Sequence, residues 1–276
     1  MKILVTEPLH EAGIEALERD FAVDVRMGLS PDALAAELRG YDGLITRSGT
    51  AVTAATLEGG AGRLRVVGRA GIGVDNIDIN AATARGVAVV NAPNGNVRAA
   101  AEHTIALIFA LSRNIPQAHN LLREGVWGKN HFMGSEIAGK TLGIVGIGKV
   151  GTQVARRASA LEMDVIAHDP FVERVRGVPL VPLDDLLRTA DYVTLHVPLT
   201  ALTAGMIGER ELHMMKRTAF LVNCARGRVV DENALYEACR SGLIAGAALD
   251  VFEQEPLPAE HPLWGFKNVI ITPHLG

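Results

Sequence analysis

Three apolar runs in the second half of this 276-residue chain each end on residues whose side chains could do chemistry. AFLVNC is followed by Ala225, Arg226 and Gly227; AGAALD closes on Asp250, with Glu255 five residues on; NVIITP is followed by His274. An open parallel sheet offers its ligand sites outside the carboxyl ends of its strands. There an arginine presents a planar fork to a carboxylate. A histidine gives or takes a proton near neutral pH. A carboxylate beside it raises its pKa and fixes its tautomer. Together the set suits hydride transfer coupled to proton transfer on a substrate that carries a carboxylate. Each residue taken alone has a plainer reading: Arg226 as a turn cap, Glu255 before Pro256 as a surface acid, His274 as a structural strand-end histidine. Spacing alone does not bring Glu255 to His274.

A glycine motif supplies the partner for such chemistry. GIGKVG (Gly146, Gly148, Gly151) follows the run LGIV and opens the helical pattern VGTQVARRASALE; the next apolar run, DVIAHD, ends in Asp169, 18 residues after Gly151. Strand, glycines, helix and terminal acid in this order form a dinucleotide fingerprint. Gly146 permits the tight turn, Gly148 lets backbone approach a pyrophosphate at the positive helix end, and Gly151 allows close helix–strand packing. Asp169 would accept the ribose hydroxyls and repel a 2′-phosphate, favouring NAD over NADP, with Arg174 and Arg176 weighing slightly the other way. GSEIAGKT (134–141) also fits a phosphate-loop pattern, but Thr141 opens a strand where that motif needs a helix. It reads as a helix-to-strand connection.

The elements that must position these groups alternate along the whole chain. KILVT, FAVDV, GLITR, RVVGRAG and VAVVNAP come first, then one or two long helices over AAAEHTIALIFALSRNIPQAHNLLREG, then TLGIVG, DVIAHD, YVTLHV, AFLVNC, AGAALDV and NVIITPH. Short runs apolar on both faces, separated by helices such as PDALAAELRG, imply parallel sheets. The fold class is α/β with two doubly wound parallel-sheet domains, a flavodoxin-like domain at 1–95 and a Rossmann domain with its linking helix at 96–276. Residues AVILMFWYC make up 48% of the chain but aromatics only 4%, so the core must be aliphatic. A formal charge of −4 with no basic stripe argues against nucleic acid as a partner. No run reaches the ~18 apolar residues of a membrane span. Cys224 and Cys239 show neither disulfide nor metal spacing, so no metal and a cytoplasmic setting are expected. The histidines other than His274 show no paired ligand spacing, although His103 and Glu102 open the linking helix.

GIGKVG, HDP, NCARGRVVDENAL, AGAALDVFEQEP and ITPHLG resemble, in order, the motifs of the NAD-dependent D-isomer-specific 2-hydroxyacid dehydrogenases. RAGIGVDNID, NAPNGNVRAAAEHT and HFMGSEIAGKTLGIVG look most like the D-3-phosphoglycerate dehydrogenase branch, and the likeness runs from residue 1 to 276. The resemblance implies a catalytic set of Arg226, Glu255 and His274. It implies NAD contacts from Gly146, Gly148, Lys149, Val150, Gly151, Asp169, Val197, Pro198, Cys224, Ala225, Asp250 and Gly276, with Asp250 holding the nicotinamide amide. Backbone amides of Gly71, Ile72 and Gly73 would meet the substrate carboxylate; Arg47, Ser48, Arg69 and Lys129 complete the expected substrate set, the cations for a phosphate. Lys129 would act from a neighbouring subunit. The implied reaction converts 3-phospho-D-glycerate to 3-phosphohydroxypyruvate, in serine biosynthesis. Alternatives are a glyoxylate, hydroxypyruvate or D-lactate-type reductase and an NAD-sensing protein like the family's co-repressors. The family's chains continue beyond the histidine to complete the first domain, so a C-terminally truncated catalytic core is expected, assembling as a homo-oligomer through the NAD domain.

Overall fold

Strands β1 (Lys2–Val5), β2 (Ala22–Val25), β3 (Gly43–Thr46), β4 (Val66–Arg69) and β5 (Ala88–Asn91) form one parallel sheet in the order β2-β1-β3-β4-β5. This computed structural model describes all residues from 1 to 276, which fold as two units, Met1–Asn96 and Val97–Gly276. The first sheet has the flavodoxin-type strand order. Its crossovers carry helices α1 (Glu11–Glu18), α2 (Pro31–Glu37), α3 (Ala54–Gly59) and α4 (Ile79–Ala84). These helices are short, and side-chain caps start each of them. Ser30 accepts from the Ala33 amide with Pro31 in the first turn, Thr53 accepts from Thr56, and Asp78 accepts from Ala81. The core they cover is aliphatic apart from Tyr41: Leu4, Leu34, Leu38, Leu44, Leu57 and Val67 are all nearly or fully buried.

In the second unit, β6 (Thr141–Val145), β7 (Asp164–His168), β8 (Tyr192–Leu195), β9 (Phe220–Asn223), β10 (Gly246–Leu249) and β11 (Val269–Ile271) are likewise parallel, in the order β11-β10-β9-β8-β6-β7. One further pairing extends it. Ala167 bridges Leu180 on the outer side of β7, donating to Pro179 O and accepting from Val181 N, both at 2.9 Å. That bridge is what remains of the third strand of the Rossmann order 3-2-1-4-5-6. Pro179 and Pro182, which lack a donor, bound it closely enough to keep it from becoming a strand.

Helices α5 (Val97–Arg113), α6 (Ile115–Arg123), α7 (Lys149–Ala160), α8 (Leu183–Thr189), α9 (Glu209–Met214) and α10 (Glu232–Ser241) complete this unit. The long helical pattern breaks into α5 and α6 at Asn114, which takes a left-handed φ of 52°, with Pro116 in the next turn. Successive residues of the central strands feed opposite cores. Leu221 and Ala247 pack with Leu195, Leu186 and Leu235; Val222 and Ala248 pack with Ile144, Leu142 and Ile108. Every residue of β8 and β10 is buried, as parallel strands covered on both faces require. Thr141 opens β6 and gives its amide to Asp191 at 2.9 Å, so the phosphate-loop lookalike is a connection into a strand.

Behind the turn that follows β6 lies His196, its Nε2 bonded to Thr194 at 3.1 Å. Desolvation pushes its pKa down to about 4. The unfolded chain therefore binds a proton near pH 6.5 that the folded chain refuses until about pH 4. Stability should fall with acid across that window by up to ~1.4 kcal/mol per pH unit from this residue alone. Denaturant unfolding from pH 7 to 4.5 should show a shallower loss for His196→Asn than for wild type. Parallel curves would exclude His196 as a source of acid lability.

Candidate functional site

The turn between β6 and α7 depends on its glycines. Gly146 has φ +91°, and a Cβ there would lie 2.7 Å from the His196 carbonyl oxygen. A Cβ on Gly151 would lie 2.2 Å from the Gly146 carbonyl oxygen, so α7 rests directly on the turn. Gly148 differs: a Cβ there would meet nothing within 4 Å. The space is open at the N-cap of a 12-residue helix, where amide groups and the helix dipole favour an anion. Lys149 and Val150 are the first two residues of that helix. Asp169, next after β7, accepts the Ile147 amide on Oδ2 and the Phe171 amide on Oδ1, both at 3.0 Å. It ties the glycine turn to the end of β7, and each oxygen keeps a lone pair for a further donor. An open glycine at a helix start and an acid at the neighbouring strand end fit an NAD pyrophosphate and ribose. Val197 and Pro198 follow β8, and Cys224 and Ala225 follow β9, at the same sheet edge.

The catalytic candidates meet at that edge. After β9, Asn223 shapes the turn by accepting from Ala225 N at 3.0 Å and donating to Arg226 O at 2.9 Å. Gly227 passes so close to Phe252 that a Cβ would sit 1.9 Å from its carbonyl carbon. This draws the Arg226 loop against the one that follows β10. On that loop Glu255 accepts the Phe252 amide on Oε1 at 3.0 Å, and its Oε2 lies 2.6 Å from His274 Nδ1. Burial pushes the Glu255 carboxyl up, but the His274 bond, the Phe252 amide and the charges of His274 and Arg226 outweigh it, leaving the pKa below its ordinary value. An ionised Glu255 bonded to Nδ1 leaves Nε2 as the ring nitrogen for proton exchange.

His274 sits in a left-handed conformation, φ 54°, unusual for a residue with a Cβ. What holds it there is Asp250. The Asp250 carbonyl accepts the His274 amide at 2.9 Å, while its carboxylate, with no exposed surface, accepts Leu275 N and Gly276 N at 2.8 Å each and the Thr272 hydroxyl at 2.6 Å. His103 Nε2, from α5, lies 3.2 Å from the same carboxylate and 3.1 Å from Thr272 Oγ1. Cys224 completes a group in which one ligand-type atom each from His103, Cys224 and Asp250 all lie within 4.8 Å of one another. Sequence spacing could not reveal this group, because its members stand 121 and 26 residues apart.

All three catalytic candidates and every cofactor candidate belong to the second unit, as does Lys129, in a short turn at Lys129–His131. The remaining substrate candidates belong to the first. Arg47 and Ser48 follow β3. Their loop wraps the Glu7 carboxylate, which accepts Thr46 Oγ1 and Arg47 N at 2.8 Å and Gly49 N and Thr50 N at 2.9 Å. Burial pushes Glu7 up, but these donors outweigh it and its pKa is lowered. Arg69 is the last residue of β4 rather than the one after it, and its guanidinium lies across Gly71, where a Cβ would stand 1.4 Å from Nη1. The 71–73 loop is braced by β5, with Asn91 Nδ2 donating to Ile72 O at 2.6 Å and Ala92 N to Gly71 O at 3.0 Å.

Residues 105–276 match the family model described as D-isomer specific 2-hydroxyacid dehydrogenase, NAD binding domain. The chain belongs to the D-isomer-specific 2-hydroxyacid dehydrogenases. NAD is the cofactor of its second unit, and the two parallel-sheet α/β domains are the family's. The chain is 49% identical over 280 residues to a D-3-phosphoglycerate dehydrogenase of Archaeoglobus fulgidus and 48% identical over 281 to one of Methanocaldococcus jannaschii. It is covered completely in both cases but spans about half, 53%, of each of these curated relatives. Among solved structures, the TT0316 protein of Thermus thermophilus matches with a TM-score of 0.92 at 38% identity, over 99% of this chain and 89% of that one. An acyclic imino acid reductase in complex with NADPH and D-Arg matches at 0.88 and 32%, over 99% and 89%.

Because Asp169 ties the glycine turn to the end of β7, Asp169→Ala should weaken NAD binding and narrow any preference over NADP. Calorimetric titration with the two dinucleotides checks this. An unchanged NAD affinity would remove Asp169 from the cofactor site.

Proposed function

We propose that this chain carries the catalytic core of an NAD-dependent dehydrogenase that oxidises 3-phospho-D-glycerate to 3-phosphohydroxypyruvate. The observation that carries the reading is the 2.6 Å pair between His274 Nδ1 and Glu255, with Arg226 close enough to lower the Glu255 pKa. Bound NAD supplies the hydride acceptor. Arg226 holds the substrate carboxylate and the C2 oxygen in its planar fork. His274 Nε2 takes the hydroxyl proton as C2 gives up its hydride and becomes a carbonyl carbon. Glu255 stabilises the imidazolium that results and keeps Nδ1–H in place. Asp169 and the glycine turn hold the dinucleotide, and the side chain of Asp250 contributes through the loop it secures and through the nicotinamide amide. The amides of Gly71, Ile72 and Gly73 and the Ser48 hydroxyl would serve the carboxylate; Arg47, Arg69 and Lys129 would serve the phosphate. The relatives named as 3-phosphoglycerate dehydrogenases support that substrate over the shorter acids.

His274→Ala should lower kcat by roughly 10²–10⁴-fold with little change in NAD affinity. Arg69→Ala should cut kcat/KM for 3-phosphoglycerate by roughly 10- to 100-fold while activity on hydroxypyruvate or D-lactate falls much less. Wild-type turnover of unphosphorylated acids at equal or higher kcat/KM would favour a reductase of that class. NAD binding without turnover of any of them would favour a dinucleotide-sensing protein.

The same reading includes self-association through the NAD unit. α6 has no buried residue. Leu122, Val126, Trp127 and Met133, on it and the loop after it, are exposed, Trp127 by 81% and Met133 by 94%. Apolar surface of this kind is normally covered, and a second copy is the partner proposed. Trp127→Glu should shift the chain towards monomer in sedimentation. A wild-type monomer at all concentrations would contradict this.

A further inference from the structure

We propose that His103, Cys224 and Asp250 form a binding site for one thiophilic divalent cation, with Zn²⁺ as its type. Nothing in the dehydrogenase reading requires this, and the site lies wholly within the second unit. The three donors come from α5, from the end of β9 and from the end of β10, so the sheet edge itself assembles them. Imidazole, thiol and carboxylate are the three ligand classes that zinc takes, and the donor atoms already lie within 4.8 Å of one another. Around a tetrahedral zinc, with Zn–S about 2.3 Å and Zn–N about 2.0–2.1 Å, neighbouring ligand atoms stand roughly 3.3–3.8 Å apart. His103 Nε2 stands 3.2 Å from Asp250 Oδ1, so imidazole and carboxylate are already at about that spacing, and the ion would meet the carboxylate through the neighbouring Oδ2; the sulfur, within 4.8 Å of the other donors, needs to close by about 1–1.5 Å.

The charges also balance. Thiolate and carboxylate together neutralise a divalent ion, so the loaded cluster is neutral in a place where an unpaired charge would be costly. Binding releases the Cys224 proton. Burial, opposed by the Thr104 hydroxyl and reinforced by the Asp250 charge, pushes that thiol up to about 12, so the free chain holds it as a neutral thiol. The metal must displace the proton, as it does at any cysteine ligand. Asp250 is oriented beforehand. The Leu275 and Thr272 donors grip Oδ1, while Oδ2 accepts the Gly276 amide and keeps a lone pair for another partner. His103 Nε2 changes from donor to ligand by moving its proton to Nδ1. Three protein ligands leave a fourth position open, the arrangement of an accessible rather than a closed structural zinc site. Magnesium and calcium, which want oxygen ligands, do not suit a sulfur–nitrogen pair.

Since Asp250 also fixes the loop that carries His274, an ion here would bind at the expense of the catalytic geometry, as an inhibitor and not as a cofactor. The direct test is spectroscopic and needs no turnover. Co²⁺ titrated into the metal-free chain should give, at one equivalent, a near-ultraviolet thiolate-to-cobalt charge-transfer band and the strong visible bands of tetrahedral cobalt. Zn²⁺ should erase both, and Mg²⁺ should not. Cys224→Ser should abolish the charge-transfer band, His103→Gln should weaken cobalt binding at least tenfold, and Cys239→Ser should leave the spectrum unchanged. Circular dichroism establishes that each variant is folded; should Cys224→Ser fail to fold, the His103→Gln and Cys239→Ser pair decides the question. A saturated wild-type chain without the charge-transfer band, a band that survives Cys224→Ser, or one lost in Cys239→Ser would overturn the assignment.

Discussion

One buried carboxylate holds the functional edge of the second unit together. Asp250 has no exposed surface, and an ionised carboxylate in that position would cost several kcal/mol without partners. It finds them almost entirely in the last five residues of the sequence: the Thr272 hydroxyl and the amides of Leu275 and Gly276, with His103 from α5 as the outside member. The exchange works in both directions. The loop's amides satisfy the charge, and the charge fixes the loop in a path that puts His274 at a positive φ. A histidine does not choose that conformation for itself; it is imposed from β10, the adjacent strand. The Glu255–His274 contact then follows, because Glu255 lies on the loop leaving β10 and is oriented by Phe252 N.

A second constraint is steric and falls on backbone. The Arg226 loop approaches Phe252 only because Gly227 has no side chain, and α7 reaches the turn after β6 only because Gly151 has none. In each case an added Cβ would meet backbone atoms, which cannot swing aside as a side chain can. These close approaches bring neighbouring strand ends to the spacing at which Arg226 can act on the Glu255 carboxylate. Gly148 answers to a different demand. It leaves space open in the chain as it stands, which gives it meaning only when something else enters that space.

Much of the fold could be read from the residues. All eleven strands coincide with apolar runs; the central ones must be apolar on both sides because both faces are covered, whereas the edge strands β2 and β5 are apolar but partly exposed. The helices begin where Ser30, Thr53, Asp78 and Asp231 offer caps. The third Rossmann strand was not legible: VPLVP carries two prolines, and its single bridge to Ala167 rests on contact with an edge, not on a pattern of its own. The residues of the candidate site were legible as types at strand ends. Their partners were not. Glu7, which organises the loop of Arg47 and Ser48 from 39 to 43 residues away, has no local signature. Nor has His103, which lies two turns into α5, not at its start as the sequence suggested, and meets a residue 147 positions later. Such pairs are products of topology, since the strand order decides which ends become neighbours.

Glu7 and Asp250 show one device used twice. Each is a carboxylate that backbone amides surround, and each shapes a loop carrying residues of the candidate site. A carboxylate can accept about four hydrogen bonds, so a single side chain replaces the ladder partners that a loop lacks. The difference between them lies in what else is near. Around Glu7 the donors are hydroxyl and amide, and the acid is fully engaged in structure. Around Asp250 stand a thiol and an imidazole as well. The charge that holds the His274 loop is thereby also available to a cation with a taste for sulfur, and the rigidity that favours proton transfer at His274 is what makes that cation's site already half built.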